Sequence, residues 1–369
     1  MNTQNKLLRA RVMQREPKWG VRTIKKVIDE FGSLNAVFDT PIELWQGAKE
    51  PIRAIRHKAK NNLLKQEAAQ ELAYMQRLGI RAVFYPEADY PELLKHCVDA
   101  PAVLFMRGKL DLNHKPLISI VGTRRATRQG VAFCEQIIEE LAPISPTIIS
   151  GFAYGIDISA HKKAMVLGLQ SIGCLAHGLN TVYPRAHHKY MGGMQQHGGF
   201  ISEFWTSDPF YKSNFLQRNR IIAGLSTVTI VIESAAKGGS LITAKMANAY
   251  DREVFAVPGA PADQQSAGCN ELIRTHQAHL LTGSKALCEV MGWELIQPKK
   301  EQLPSDDIER KLLQLMLKEP RISQNDLQIK MSVSISQLQV LLLNLELSGM
   351  ITRDLLGGYT ANSRGFHGL

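Results

Sequence analysis

Between residues 100 and 260 the chain takes on a rhythm that few folds can satisfy. AVLFMRG, LISIV, PTIIS, LQSIGCL, STVTIVIE and EVFAVPG are short apolar or β-branched runs, each bounded by Gly, Pro or Ser. Helical patterns such as VAFCEQIIEELA and LITAKMANAY separate most of them. A strand that is apolar on both faces must be covered on both faces. Regular alternation of such strands with helices therefore gives a parallel, doubly wound α/β sheet. Ligands of such sheets bind beyond the carboxyl ends of the strands, so the residues just after each run carry the functional expectation.

The flanks differ from this centre. Residues 1–85 are expected to be helical, with apolar spacings of three and four in VRTIKKVIDEFGSLNAVF and NNLLKQEAAQELAYMQRL. Gly32 is placed as a helix stop, and Ser33 and Thr40 as helix caps. WGVRTIKKVIDEFGSLNAVF resembles a helix-hairpin-helix or sterile-alpha-motif-like unit, without the Pro-Gly-x-Gly turn of a clean hairpin. Its basic helix suits either phosphate contact or the solvated face of a structural or dimer-contacting domain. Residues 86–292 form the expected sheet domain. The polar stretch 293–307, with two prolines, is the expected linker. Beyond it, 308–369 offers IERKLLQLML, ISQNDLQIKM and SISQLQVLLLNLELSG, then MITRDLLGGYTA: three helices and a short hairpin, hence a winged helix.

Composition narrows the function. The net charge is +10 with a pI near 9.3, which favours a polyanionic partner. The excess sits at the N-terminal end, where residues 1–80 hold 15 basic and 8 acidic side chains. Residues 305–369 hold 7 of each, so the winged helix has no electrostatic claim on DNA and is expected to contact protein. No apolar run approaches the ~20 residues of a membrane span, and no signal-peptide core or cleavage site opens the chain. Five cysteines with no C-x-x-C pair argue against a disulfide framework or a structural zinc. A cytoplasmic protein is the expectation.

Four strand-to-helix junctions carry glycine with basic or hydroxyl residues: Gly122 to Thr127, Gly151 to Asp157, Leu179 to Arg185 directly after Gly178, and Ala235 to Ser240. Glycine lets backbone approach an anion, and free N–H groups at a helix start donate to phosphate oxygens. Arg124, Arg125, Arg185 and Lys237 add full charges. None of these turns matches G-x-x-x-x-G-K-[ST] or a complete G-x-G-x-x-G, so a Walker-type hydrolase and a dinucleotide site are disfavoured. A fifth segment, Arg218-Asn219-Arg220, can fork onto phosphates or a base edge, or can hold carboxylates such as Glu203 or Glu233.

Catalytic candidates are poor. Ser150 lacks the G-x-S-x-G elbow, Asp157 suits a helix-start residue bonding turn amides, and the histidines lack metal-ligand spacing. No catalytic, metal or cofactor site is expected. Phe152, Tyr154, Tyr183, Phe204, Trp205, Phe210, Tyr211 and Phe215 crowd the same loops, and aromatic faces among basic groups favour single-stranded nucleic acid.

SIVGTRRATRQG, ISGFAYGIDISAH, GLNTVYPRAHHKY, ISEFW, FLQRNRIIAGLS, ESAAKGGSLITAKMA and FAVPGAPADQQSAGCNELI resemble, in order and spacing over about 117–280, the motif series of the DprA/Smf (DNA-processing protein A) family. The resemblance implies an extended Rossmann-like fold and a homodimer. It also implies a non-enzymatic protein that binds single-stranded DNA and loads RecA recombinase onto it during natural transformation. Mapped residue by residue, it implies DNA contacts at Gly122, Arg124, Arg125, Ser150, Gly151, Arg185, Lys189, Arg218, Asn219 and Arg220. The Gly-Gly-Ser turn adds Lys237, Gly238, Gly239, Ser240 and Lys245. Asn180 stands where the family commonly has Asp, and His187 where it has Asn, which bears on the third loop. The alternative is a nucleotide phosphoribohydrolase of the lysine-decarboxylase-like fold, to which Lys237-Gly238-Gly239-Ser240-Leu241 bears a partial likeness.

Overall fold

The apolar runs pair as strands of one sheet because each is buried on both sides. In the computed structural model, which describes residues 2–45, 47, 49–112, 116–294, 307–347, 350–354 and 357–361, these strands are β1 (Ile80–Phe84), β2 (Val103–Gly108), β3 (Leu117–Val121), β4 (Thr147–Ser150), β5 (Ser171–Cys174), β6 (Gly198–Ser202), β7 (Val228–Val231), β8 (Glu253–Ala256) and β9 (His279–Leu280). Their order across the sheet is β1-β2-β6-β5-β4-β3-β7-β8-β9. β6 to β9 pair in parallel throughout, and β1 and β2 complete one edge antiparallel.

The alternation of side chains along β3 shows how the layers form. Ile118 and Ile120 enter a core with Ile137, Ile156 and Leu287 from the helices Arg128–Leu141, Ile156–Val166 and Ser284–Met291. Leu117 and Val121 enter the opposite core with Ile222 and Ala244, from the helices Ser213–Leu225 and Ser240–Ala249. The strand buries both faces, as a parallel sheet requires. From β3 the chain winds outward one way through β4, β5 and β6, then returns to β7 on the other side of β3. The crevice between β3 and β7 is therefore the topological switch point.

Three strands escape the sequence reading: β1, β6 and β9. β6 is GGFIS, whose paired glycines look like a turn, and β9 is two exposed residues long. β1 lies inside the span expected to be helical and closes the sheet edge against β2. The helices Thr3–Gln14, Val21–Phe31, Lys49–Lys58 and Asn62–Arg77 bury Leu7, Ile28, Ile52 and Met75 in the same cluster as Val103 and Leu104. The expected boundary at 85 thus separates no two cores, and residues 1–295 form one unit. Gly32 does end its helix, in the left-handed conformation at φ 83°.

Residues 296–369 form a second unit. Its helices Asp307–Lys318, Gln324–Met331 and Ile335–Leu347 pack Leu313, Leu327, Leu338 and Leu342 against Ile351 and Tyr359 of the hairpin β10 (Ile351–Arg353) and β11 (Tyr359–Ala361). Ser323 caps the second helix by accepting from Asp326 N at 3.2 Å. This is the expected winged helix. The expected linker at 293–307 lies largely outside the described residues.

Candidate functional site

At the switch point a cavity of about 370 Å³ is lined by Gly122, Thr123, Arg124, Arg125, Asp157, Phe215, Arg218, Asn219, Gly238, Gly239 and Ser240, among others. The structure thus gathers three of the four glycine turns and the fifth segment into one crevice. The loop after β3 owes its shape to Glu233, whose backbone carbonyl accepts from Thr123 N at 2.7 Å and whose carboxylate accepts from Thr127 N at 2.9 Å. Thr127 then caps the following helix by accepting from Gly130 N. With the backbone held this way, the Arg124 and Arg125 side chains are exposed and make no ion pair with the described residues. The Arg124 guanidinium lies 5.3 Å from the Phe215 ring centroid, within cation–π range.

The floor is built from buried polar groups. Arg218, 5% exposed, donates through Nη1 to Gly151 O at 2.6 Å and to Cys174 O, tying the ends of β4 and β5 to the helix Ser213–Leu225. Asp157 accepts from Gly151 N at 3.1 Å and Ala153 N at 3.4 Å, the turn-bonding role expected of it. A Cβ at 151 would come within 2.5 Å of Arg218 Nη2 and 2.6 Å of Asp157 Oδ2, so any larger residue there displaces the two groups that hold the turn. Burial pushes the Asp157 carboxyl up, opposed by the Arg218 charge. Asn219 donates to Gly239 O at 3.3 Å and links this helix to the Gly-Gly-Ser turn.

Several expected contact residues lie elsewhere. Ser150 is fully buried, and its hydroxyl donates to Ile120 O at 2.6 Å, so it presents no donor to a ligand. Arg220 is not in the cavity. It pairs with Glu203, both side chains 4% exposed, and donates to Asp99 O. Lys237 and Lys245 are exposed beside the cavity lining rather than in it, and Arg185 and Lys189 belong to the loop after β5. Thr123 and Phe215, by contrast, line the cavity although the motif mapping passed over them. Phe215 belongs to an aromatic strip, with centroids 5.4 Å from Phe210 and 5.7 Å from Tyr183, which are themselves 5.0 Å apart. Tyr183 and Phe210 are about half exposed, at 47% and 46%.

The buried histidines are not poised for proton transfer. His161 meets Ser171 Oγ through Nδ1 at 2.7 Å, and burial lowers its pKa to about 3. Burial also lowers His177 and His187, and His187 donates to Phe152 O at 2.9 Å. Among the described residues no group of three or more His, Cys, Asp or Glu is placed to hold a metal. The five cysteines are buried and unpaired.

Residues 81–292 match the family described as DNA recombination-mediator protein A, and residues 297–354 match the DprA winged helix domain. The chain belongs to that family. It is 35% identical to the Synechocystis protein Smf over 60% of this chain and 57% of that protein. It is 39% identical to Escherichia coli Smf over 56% and 55%, so its match spans just over half of these relatives. It is 37% identical to Streptococcus pneumoniae DNA processing protein DprA over 54% of this chain and 71% of that one. The crystal structure of the Streptococcus pneumoniae protein superposes with a TM-score of 0.63 at 28% identity, covering 79% of this chain and 99% of that one. A Helicobacter pylori DprA structure concerned with single-stranded DNA binding gives 0.52 at 28% identity, covering 58% and 97%. The family-matched span 81–292 contains the entire switch-point crevice.

Proposed function

We propose that this chain binds single-stranded DNA in the switch-point crevice. The observation that carries the reading is the pair of exposed arginines, Arg124 and Arg125, without an ion-pair partner among the described residues, standing over glycine turns and opening onto half-exposed aromatic rings. Phosphodiester oxygens fit the arginine guanidiniums and the backbone N–H groups where the Gly238-Gly239-Ser240 turn starts its helix. Unpaired bases fit the faces of Phe215, Phe210 and Tyr183, which a duplex keeps stacked away. The DNA-binding relative from Helicobacter pylori supports the same choice of ligand. In this reading the protein catalyses nothing: it works in the cytoplasm as a homodimer that protects incoming single strands and loads RecA recombinase onto them in natural transformation.

Fluorescence anisotropy with matched single- and double-stranded oligonucleotides, beside an AMP-hydrolysis assay, tests the reading. Preference for the single strand with no AMP turnover is expected. Equal affinity for both forms, or turnover of AMP, contradicts it. A RecA filament-assembly assay on protein-coated single strands tests the loading step separately.

A further inference from the structure

Phe210 rides on a stretch of chain that buries nothing of its own. Residues 209–213, which run from the loop after β6 into the helix Ser213–Leu225, are exposed without a break. The Phe210 ring meets Tyr183, Phe215 and His177 at centroid distances of 5.0, 5.4 and 5.7 Å, and Tyr183 is itself half exposed. The position of the ring therefore follows from where the two ends of the stretch are pinned. At the far end the buried Asn214 donates to Pro209 O at 3.4 Å. At the near end residues 205–208 form a closed turn. Asp208 N donates to Trp205 O at 3.1 Å, and the Asp208 carboxylate accepts from Trp205 N at 3.0 Å.

That turn is held from the N-terminal helices. Arg11 Nη1 donates to Asp208 Oδ1 at 2.7 Å, and its guanidinium lies 4.9 Å from the Trp205 ring centroid. Trp205 Nε1 donates to Gln14 Oε1 at 2.6 Å. Glu71, 8% exposed, accepts from Thr206 N at 2.9 Å and from Thr206 Oγ1 at 2.8 Å. Two charged side chains thus spend their hydrogen bonds on one turn, and both are shielded enough for those bonds to be strong. Residues 11, 14 and 71 lie outside the span 81–292 matched to the family, whereas the ring they steady lies inside it.

We propose that Arg11 and Glu71 are positioning residues for strand binding: they fix the turn 205–208, and through it Phe210, without contacting the strand. The proposal rests on the proposed function, which lays bases over Phe210. Cutting either tie leaves the exposed stretch free to sample other positions. If only about one fifth of the molecules then hold the ring in place, apparent affinity weakens about fivefold. Because no phosphate contact is lost, the salt dependence is untouched.

The test is oligothymidylate affinity per folded molecule of the full chain, measured across a salt series. Arg11→Ala should bind about fivefold more weakly, along a line parallel to wild type. Arg11→Lys, which keeps a charge beside Asp208, should recover most of the loss. Glu71→Ala cuts the other tie and should reproduce the Arg11→Ala result, so the test does not depend on one variant folding. In a Phe210→Ala protein, itself weakened at least as much, adding either change should cost nothing further. An undiminished loss in the Phe210→Ala background, a flatter salt line, or full affinity in both single variants overturns the positioning role and leaves the crevice intact. A Phe210→Ala protein that binds like wild type, or a wild-type chain that binds no oligonucleotide, refutes the stacking surface and this inference with it.

Discussion

Two stretches of this chain carry closely spaced arginines and use them in opposite ways. In the loop after β3, Arg124 and Arg125 project from a backbone held by Glu233 and Thr127, and both guanidiniums remain exposed. In the helix Ser213–Leu225, Arg218 and Arg220 are 5% and 4% exposed. Arg218 braces two strand ends and Arg220 neutralises Glu203. The difference teaches that charge in a motif declares nothing about its destination. A loop held by its own backbone offers its arginines to a ligand, whereas a helix packed on the sheet turns them into ties.

The comparison breaks most visibly at Arg220. Arg220→Ala leaves Glu203 uncompensated in the interior, and the expected loss of stability is about 3–5 kcal/mol in urea or thermal unfolding. Affinity per folded molecule should stay at the wild-type level. An Arg220→Ala protein of normal stability that has lost DNA would place Arg220 in the interface instead. Arg124→Ala should do the reverse. A loss of ~1.5–3 kcal/mol in oligonucleotide affinity is expected, as for a charge-assisted hydrogen bond, with an unfolding midpoint close to wild type. Unchanged binding would remove Arg124 from the site.

The buried side of the comparison also has a pH signature. The His161 pKa falls from 6.5 to about 3 in the folded chain, so between those values the unfolded state holds the extra proton. Stability from this group is complete above pH 6.5 and drains as pH falls toward 3, at up to about 1.4 kcal/mol per pH unit. Urea titrations of wild type and His161→Gln between pH 7 and pH 5 should show the variant's slope to be shallower. Parallel slopes would mean that His161 titrates normally. The smallest effect is expected from the winged helix. Deletion of residues 305–369 should change single-strand affinity by less than ~1.4 kcal/mol, tenfold, because the 7 basic and 7 acidic side chains removed balance. A larger loss would bring that unit to the DNA.

The sheet was legible because burial on both faces leaves its mark as unbroken apolar runs, and the glycine turns were legible because strands that meet helices tightly need them. β1 is an edge strand whose apolar run is interrupted by the exposed Arg81, β9 is two exposed residues, and β6 hides behind Gly198 and Gly199. The arginine ties were illegible for a helical reason. Residues two apart on a helix point away from each other, so Arg218 and Arg220 cannot share one ligand. The motif names both without saying that only Arg218 reaches the crevice floor. Phe215 carried a readable signal, an aromatic ring three residues before an arginine in a basic segment, and the cation–π contact with Arg124 gives that signal its meaning.

The central claim is that exposed arginines at the switch point hold the backbone of a single strand, and the salt dependence of affinity addresses it most directly. Log affinity of the wild-type chain for a single-stranded oligonucleotide should fall linearly with log salt at ~0.7 per phosphate neutralised. The Arg124→Ala line should be flatter by about one phosphate contact. Wild-type affinity that ignores salt, or an Arg124→Ala line parallel to wild type, would contradict the account.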